Sequence, residues 1–513
     1  MKSTSSARWW ALGAVSLGVL AVSLDGTVLS VALPTLAKSL HASESDLEWF
    51  SAGYLLVLAA ATLPVGLLGD RFGRRGVLVA SLAIFGAGSA WCAYSPSPGA
   101  FLIARLVMGA AGAGVAVMAL SQLTVLFDEP TRPKAVGVFQ AANFLALPLG
   151  PILGGWMLSR FWWGWMFLVN VPVAVVGVAV VAAMVPESRA AQRPGLDPLG
   201  TSASVTGLVA VTYGAIEAGR HGWGSGVALA SMLIGALLLA GFFVWERRLS
   251  AGHGDPLIDP TLFRSRSFTW GSLLAGVVGL AMIGLLFTMP QYFQAVRGAD
   301  ALGSGLRLLP LVGGLIVGTL PSSWMAKTFG AKLTVTTGFL LVALGSAMGS
   351  ATTATSGIAF IAAWMALLCA GTGLAISAAV SAALAQLSAE RSGTGSAVVQ
   401  VFQKTAGPLG TAIMGSVLAA AYQSRLDAVP MPAAVDAAAR HSVFSALAAA
   451  ERLGSPSLAA AVRSAFVHGM DTSLLTSTGI AVAGAVLTLA FLPGARRAAH
   501  HDHSPEVADA VRL

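Results

Sequence analysis

Apolar residues recur along this chain in runs of about twenty, separated by short knots of glycine, proline and charge. That pattern predicts bilayer-crossing helices, because a hydrocarbon core about 30 Å thick needs about 20 residues rising 1.5 Å each. Fourteen such runs are expected, at approximately 9–33, 49–69, 76–95, 99–127, 134–158, 163–185, 199–217, 225–245, 267–291, 304–326, 331–350, 356–387, 393–422 and 470–492. Ser95-Pro-Ser-Pro-Gly99 parts the third run from the fourth, and the Ser/Thr/Gly-rich stretch from Ser350 to Gly357 parts two runs that are otherwise uncharged. The first run continues to Leu33 without a short apolar centre and cleavage site, so it is read as a retained span and not a leader. Between the last two runs, Ser424 to His468 is alanine-rich with scattered charges and is expected to form an amphipathic external hairpin.

Composition narrows the class. Hydrophobic residues make up 56% of the 513 and charged residues 10%, against about 25% charged in soluble domains, which excludes a soluble fold. The 59 glycines suit close helix packing in lipid. The net charge of +8 comes from basic residues scattered through short loops with no interleaved aromatics, so it speaks for membrane topology and against nucleic acid. With the amino end placed inside, nineteen of the 30 basic residues fall on the cytoplasmic side and nine outside, leaving Arg105 and Lys404 within spans. The positive-inside rule then puts both termini in the cytoplasm. Cys92 and Cys369 lie in separate apolar runs and read as packing residues. Gly109-Ala-Ala-Gly112-Ala-Gly114 lies inside an apolar helix and reads as a packing surface, and no phosphate-cradling lysine loop argues for an ATP-driven pump. The tail His500-His501-Asp502-His503 fits either a metal ligand set or a solvated end. No cofactor, metal site or enzymatic activity is expected; small molecules, protons and the bilayer are the partners implied, for a monomeric protein.

An internal repeat appears at one offset. Asp70-Arg-Phe72-Gly73-Arg-Arg75 aligns with Lys327-Thr-Phe329-Gly330-Ala-Lys332, and Gly150-Pro151 with Gly407-Pro408, both 257 residues apart. Two six-helix bundles related by duplication follow, with spans seven and eight inserted between them. The expected divisions are a first bundle at 1–190, inserted helices at 191–255, a second bundle at 256–495 carrying the external segment 424–468, and a cytoplasmic tail at 496–513.

The polar knot between spans two and three, Gly66-Leu-Leu-Gly69-Asp70-Arg71-Phe-Gly73-Arg74-Arg75, reads as a tight cytoplasmic turn. Gly69 and Gly73 permit reversal and close approach, the arginines resist crossing, and Asp70 is placed to meet a positive helix end and neighbouring arginines. In its order of residues the knot resembles the signature loop of the major facilitator superfamily of transporters. The resemblance implies a conformational latch between bundles and no contact with substrate.

Ionisable groups within spans are expensive there and must be paired or functional. Asp25 lies roughly 12 Å short of the outer end of span one and Arg105 roughly 9 Å into span four from the same side, so they share a depth. A permanent ion pair and a titrating coupling site both fit. Lys404, in span thirteen, fits either a structural group or a substrate contact. Gln122, Asn143, Asn170, Gln291, Gln400 and Gln403 fit a polar cavity or hydrogen bonds between helices.

Three further stretches resemble one branch of that superfamily, the fourteen-span drug:H⁺ antiporters. These are Leu24-Asp25-Gly26-Thr27 through Pro34; Leu102-Ile-Ala-Arg105-Leu-Val-Met-Gly109; and Gly150-Pro151-Ile-Leu-Gly154-Gly155, followed by Trp163-Gly164-Trp165 to Pro172. The chain departs from the branch at Ser30, where asparagine is usual, and at Gly164, where arginine is usual. The resemblance implies an all-α polytopic membrane protein of major facilitator fold, with Asp25 and Arg105 coupling protons to export and Gly150, Pro151, Gly154 and Gly155 forming an antiporter helix motif. Export of hydrophobic or amphipathic drugs across the cytoplasmic membrane is the expected function. A dedicated metabolite exporter, a proton-coupled uptake carrier and a transporter-like sensor are the alternatives.

Overall fold

A computed structural model describes residues 5–42, 44–128, 130–189, 197–252, 256–258, 260–385, 387, 392–427, 429–431 and 443–494. The tail 496–513 with its histidines, residues 432–442 of the expected external segment, and Arg193 and Arg391 of the charge tally lie outside the described residues. Long helices account for nearly all of the rest. They are α1 (Ser5–Leu40), α2 (Glu44–Phe72), α3 (Arg74–Ala93), α4 (Pro98–Leu126), α5 (Arg132–Arg160), α6 (Trp165–Leu168), α7 (Asn170–Met184), α8 (Pro198–His221), α9 (Gly226–Ala251), α10 (Arg266–Gln291), α11 (Ala301–Arg307), α12 (Leu309–Gly349), α13 (Ile358–Leu384), α14 (Ser392–Leu426), α15 (Val443–Arg452) and α16 (Pro456–Phe491). A 3₁₀ turn, Pro260–Arg264, precedes α10, and a π turn, Tyr292–Val296, follows it.

The helix starts carry their own signals. Ser97, Asp197, Ser225, Ser265, Asp300 and Ser455 each accept a hydrogen bond from the peptide N–H three residues on, capping α4, α8, α9, α10, α11 and α16. Proline at the first turn strengthens three of these, at Pro98, Pro198 and Pro456. In α12 the helix breaks at Gly330, whose φ of 85° and ψ of 157° are open to glycine and costly for other residues. Counting α6 with α7 as one crossing and α12 as two, the segments long enough to cross among the described residues are α1 to α5, α6–α7, α8, α9, α10, both halves of α12, α13, α14 and α16, fourteen in all. Ten stretches among the described residues are also apolar enough by hydropathy, one of them containing both halves of α12.

One expectation is corrected. The segment Ser424–His468 is not one external hairpin: α14 runs on to Leu426, and residues 456–468 are the first turns of α16, continuous with the last span. Among its described residues one separate amphipathic helix remains, α15, burying Val443, Ala446, Leu447 and Ala450. Arg463, His468 and Asp471 dilute the hydropathy of these turns, while Leu458, Val462, Ala465 and Phe466 pack inward and hold the helix. The tight turn expected at 66–75 is present but shorter than the knot. α2 stays helical through Phe72 and α3 begins at Arg74, so the reversal is made at Gly73 alone, with φ 115°.

The first six crossings pack together through α2–α4, α1–α5, α3–α4 and α3–α7, and the last six through α12–α13, α10–α14, α12–α16 and α10–α13. The most enclosed stretches, 111–123 in α4 and 371–381 in α13, nearly coincide under the offset of 257. The two groups meet along α2–α14, α4–α14, α5–α12 and α5–α13, and α8 lies across the first of these seams, packing on both α2 and α14 with α9 behind it.

Candidate functional site

Asp70 is 2% exposed and Arg74 is fully buried, at the end of the molecule where α2 turns into α3. Arg74 donates from Nε and Nη2 to Asp70 Oδ1 at 2.9 and 2.7 Å. The peptide N–H of Gly393 donates to the same oxygen at 3.0 Å, and Thr394 donates to Oδ2 from its N–H at 2.8 Å and its hydroxyl at 2.6 Å. Asp70 therefore caps the first turn of α14, a helix of the other bundle, where the end of the helix dipole favours a carboxylate. The positive helix end it was expected to meet is that of α14, 323 residues away, and the neighbouring arginine is Arg74. Small residues make the approach possible: a side chain at Gly66 would run into Ala397, one at Gly69 into Met118, and one at Gly393 into Asp70 itself. Gly69 thus serves close approach, while Gly73 makes the turn.

Around that turn Glu187 accepts from the N–H groups of Arg75 (3.1 Å) and Gly76 (3.2 Å), and a side chain at Gly73 would meet its carboxylate. Arg75 Nε lies 3.6 Å from Glu187 Oε2, and Arg71 stands over the Phe72 ring. A second contact crosses between bundles at this end, where Arg132 Nη1 donates to the Leu384 carbonyl at 3.4 Å.

Asp25 and Arg105 are in contact. Arg105 Nη1 donates to Asp25 Oδ2, Arg105 Nε donates to the Phe50 carbonyl at 3.1 Å, and its guanidinium lies 4.2 Å from the centre of the Tyr54 ring. Tyr54 in turn donates to the Val22 carbonyl at 3.0 Å. Asp25 is 4% and Arg105 0% exposed, and Asp25 Oδ1 accepts no hydrogen bond among the described residues. The glycines of α4 set this geometry, since a side chain at Gly109 would meet the Tyr54 backbone and one at Gly112 would meet Val22 and the Tyr54 hydroxyl.

The other sequence-derived residues divide. A side chain at Gly150 would run into Thr27 of α1, and one at Gly154 into Val28 and Met166, so this motif fixes α5 against α1; Gly155 faces open space and Pro151 lies within α5. Gly164, where arginine is usual, is filled by the Trp162 ring. Asn143 accepts from Ser23 at 2.6 Å, Asn170 donates to Ser89 at 3.4 Å, and Gln400 donates to the Ala116 carbonyl of α4 at 3.2 Å. Among the described residues Gln122 and Gln403 find no partners for their buried amide atoms, nor do the hydroxyls of Thr319 and Ser377 near the α5–α12–α13 seam. Gln291 ends α10, half-buried.

Sequence reasoning passed over Glu187, Tyr54, Thr394 and a cluster at the base of the inserted hairpin. There Asp197 accepts from Gly200 N–H and Trp245 Nε1, both at 2.9 Å, and Glu246 accepts from Ile258 N–H at 3.0 Å, tying α8 and α9 to the chain that enters the second bundle. The pairing of an acid near the start of one inserted span with one near the end of the next was the available signal.

The arrangement is that of helical halves closed against one another at one end, with an ion pair inside one half. The whole-chain relatives agree with it. The chain is 29% identical over 512 residues to the tetracenomycin C resistance and export protein of Streptomyces glaucescens, covering 97% of this chain and 93% of that one. It is 31% identical over 498 residues to the multidrug efflux pump LfrA of Mycolicibacterium smegmatis, covering 95% and 97%. Its fold is shared with the human organic anion transporter MFSD10 (TM-score 0.62, 16% identity, 94% and 99% covered) and with the proton:xylose symporter XylE (TM-score 0.61, 17% identity, 96% and 97% covered). Residues 15–411 match the family model of the Major Facilitator Superfamily, and with that match over most of its length the chain belongs to this superfamily.

Proposed function

We propose that the protein exports hydrophobic or amphipathic drugs or antibiotics across the cytoplasmic membrane in exchange for protons. It acts as a monomer with both termini and the Asp70 end in the cytoplasm, built as a first bundle at 1–190, inserted helices at 191–255 and a second bundle at 256–495. Relatives named for drug resistance and efflux support the substrate class. The observation that carries the coupling is the buried pair, in which Asp25 is held to Arg105 through one oxygen while the other is free to take a proton.

Breaking a buried ion pair by removing one charge typically costs about 3–5 kcal/mol, whereas neutralising the carboxylate removes its attraction directly. Protonation from outside releases Arg105, which keeps the Phe50 carbonyl and the Tyr54 ring and so is not left unpaired. Release of the contact loosens α1 against α4 inside the first bundle, whose α2 and α4 meet α14 across the seam, so that the bundles rock, and loss of the proton to the cytoplasm restores the pair. Asp70 acts in this cycle as the latch that holds the cytoplasmic side shut. One proton moving through about 100 mV releases roughly 2.3 kcal/mol, enough for a gradient of roughly fifty-fold per charge.

Export of a fluorescent drug in everted vesicles tests this. Asp25→Asn is expected to abolish uphill, proton-driven export while leaving some downhill exchange, and Asp25→Glu to keep partial function. Uphill export of a neutral substrate by Asp25→Asn, with an unchanged pH dependence, would remove Asp25 from the coupling role and leave a structural ion pair.

A further inference from the structure

Resting on the export reading above, we infer that Lys404 is the binding point for an anionic group of the exported molecule, so that organic monoanions are a preferred substrate class. Lys404 lies eleven residues, roughly 16 Å, beyond Gly393 along α14, near the middle of a core about 30 Å thick and too deep for its side chain to reach either surface.

The helical phase fixes where it faces. Gly393 contacts Asp70 of α2, Ala397 lies beneath Gly66 of α2, and Gln400 donates to Ala116 of α4. At about 100° per residue these three and Lys404 share one face of α14, the face turned to the first bundle. Phe402 and Ala406, on the opposite face, are the residues that side chains at Gly276 and Gly279 of α10 would meet.

Along that first face burial falls steadily. Gly393, Ala397 and Gln400 are buried, Lys404 and Gly407 are half-buried, and Thr411 is exposed. Along this face the seam is closed from the Asp70 end up to Gln400 and accessible from Lys404 onward, which puts the ammonium at the edge of the closed part.

Nothing described neutralises it. Among the described residues no carboxylate lies within 4.0 Å of Lys404 Nζ, and the one acid of span one is already held by Arg105. Asp471 of α16 lies two residues before Ser473, whose hydroxyl reaches Met414, some ten residues or roughly 15 Å further along α14 than Lys404. Gln400 Oε1 and both amide atoms of Gln403 are buried without partners within one turn of the lysine. An unpaired ammonium in mid-membrane is expensive, and a ligand that brings its own anion repays that cost at the moment of binding. Lysine also suits a broad range of anions better than arginine, because it is a point charge on a flexible stem with no planar fork to match.

The energetics favour the same class. Moving a monoanion out while one proton moves in transfers two charges in the direction the potential drives, against one for a neutral substrate, a difference of roughly fifty-fold in attainable gradient at about 100 mV.

The test uses dansylglycine, which carries one carboxylate, and dansylamide, which carries the same fluorophore without the charge. Binding is measured on the full chain in nanodiscs, and export is measured in everted vesicles. Lys404→Gln is expected to weaken dansylglycine binding at least tenfold and dansylamide binding less than threefold, Lys404→Arg to retain most dansylglycine binding, and collapse of the potential to slow dansylglycine export more than dansylamide export. Equal losses for the two probes, or dansylglycine binding indifferent to Lys404→Gln, would overturn the inference. Lys404-dependent binding with no uphill export of either probe would leave the inference standing and remove the export reading.

Discussion

Gly73 and Gly330 stand 257 residues apart at the same place in the two halves, and both turn the chain with positive φ, 115° and 85°. Their surroundings are opposite. Three residues before Gly73 is Asp70, buried and holding the first turn of α14; three residues before Gly330 is Lys327, exposed to solvent. Under the same offset the counterpart of Gly393 and Thr394 is Val136 and Gly137, near the start of α5, where the partial positive charge of a helix amino end has nothing to offer an ammonium. The two halves share one kind of turn, and among the described residues the first sets a carboxylate there against a helix of the other bundle while the second sets an exposed ammonium. On the latch reading proposed above, Asp70 carries most of the polar contact across this end, beside the single bond from Arg132 to the Leu384 carbonyl.

The largest expected effect follows from erasing that difference. Asp70→Lys gives the first half the charge of the second and places an ammonium against Gly393 and Thr394; export should fall to the level of vesicles lacking the protein, since loss of a buried, hydrogen-bonded charge costs about 3–5 kcal/mol. Substrate binding measured in nanodiscs should survive, and an equal loss of binding would count against a latch. Asp70→Asn, which keeps the shape, should slow export by about tenfold or more, in line with roughly 1.5–3 kcal/mol for a hydrogen bond to a charged group.

Next comes Gly73→Ala. A left-handed backbone costs an ordinary residue about 1–2 kcal/mol, and the new methyl would press on Glu187, so the thermal unfolding midpoint of the purified protein should drop measurably. Glu187→Gln removes a charge but keeps an acceptor at a half-exposed site, and a slowing of two- to fivefold, about 1 kcal/mol or less, is expected in the same vesicle assay. Smallest of all should be Lys327→Ala, within about 0.5 kcal/mol of wild type as for an exposed side chain with no special role. A cost at Lys327 as large as that of Asp70→Asn would break the comparison between the halves.

Much of this was legible beforehand, and for physical reasons. Bilayer thickness imposes its length on every crossing, so the spans could be counted; the expense of an intramembrane charge singled out Asp25 and Arg105, and their depths matched because a helix rises uniformly. What Asp70 touches was not legible. Its cross-bundle partners are mostly peptide N–H groups, which every sequence carries at every position and no residue type announces. Glu187 sits in a stretch with no periodicity to mark it, and that the space beside Gly164 is taken by the Trp162 ring is something only packing reveals. The phase of Lys404 on its helix could be worked out on paper, but whether that face was sealed or open depended on how far the bundles had closed. The early turns of α16 were missed because scattered charge masks a helix whose inward face is apolar.

The cap that Asp70 places on α14 also makes this protein its own clock. In the closed arrangement the amide hydrogens of Gly393 and Thr394 are engaged by a carboxylate from another helix. When the bundles part, these two hydrogens lose their acceptor together and meet water, whereas amides in the middle of α14 stay in their ladder. If Asp70 is the latch proposed above, deuterium uptake at Gly393 and Thr394, compared with that at the middle of the same helix, reports how much of the time the gate stands open, in the resting protein and without any substrate at all.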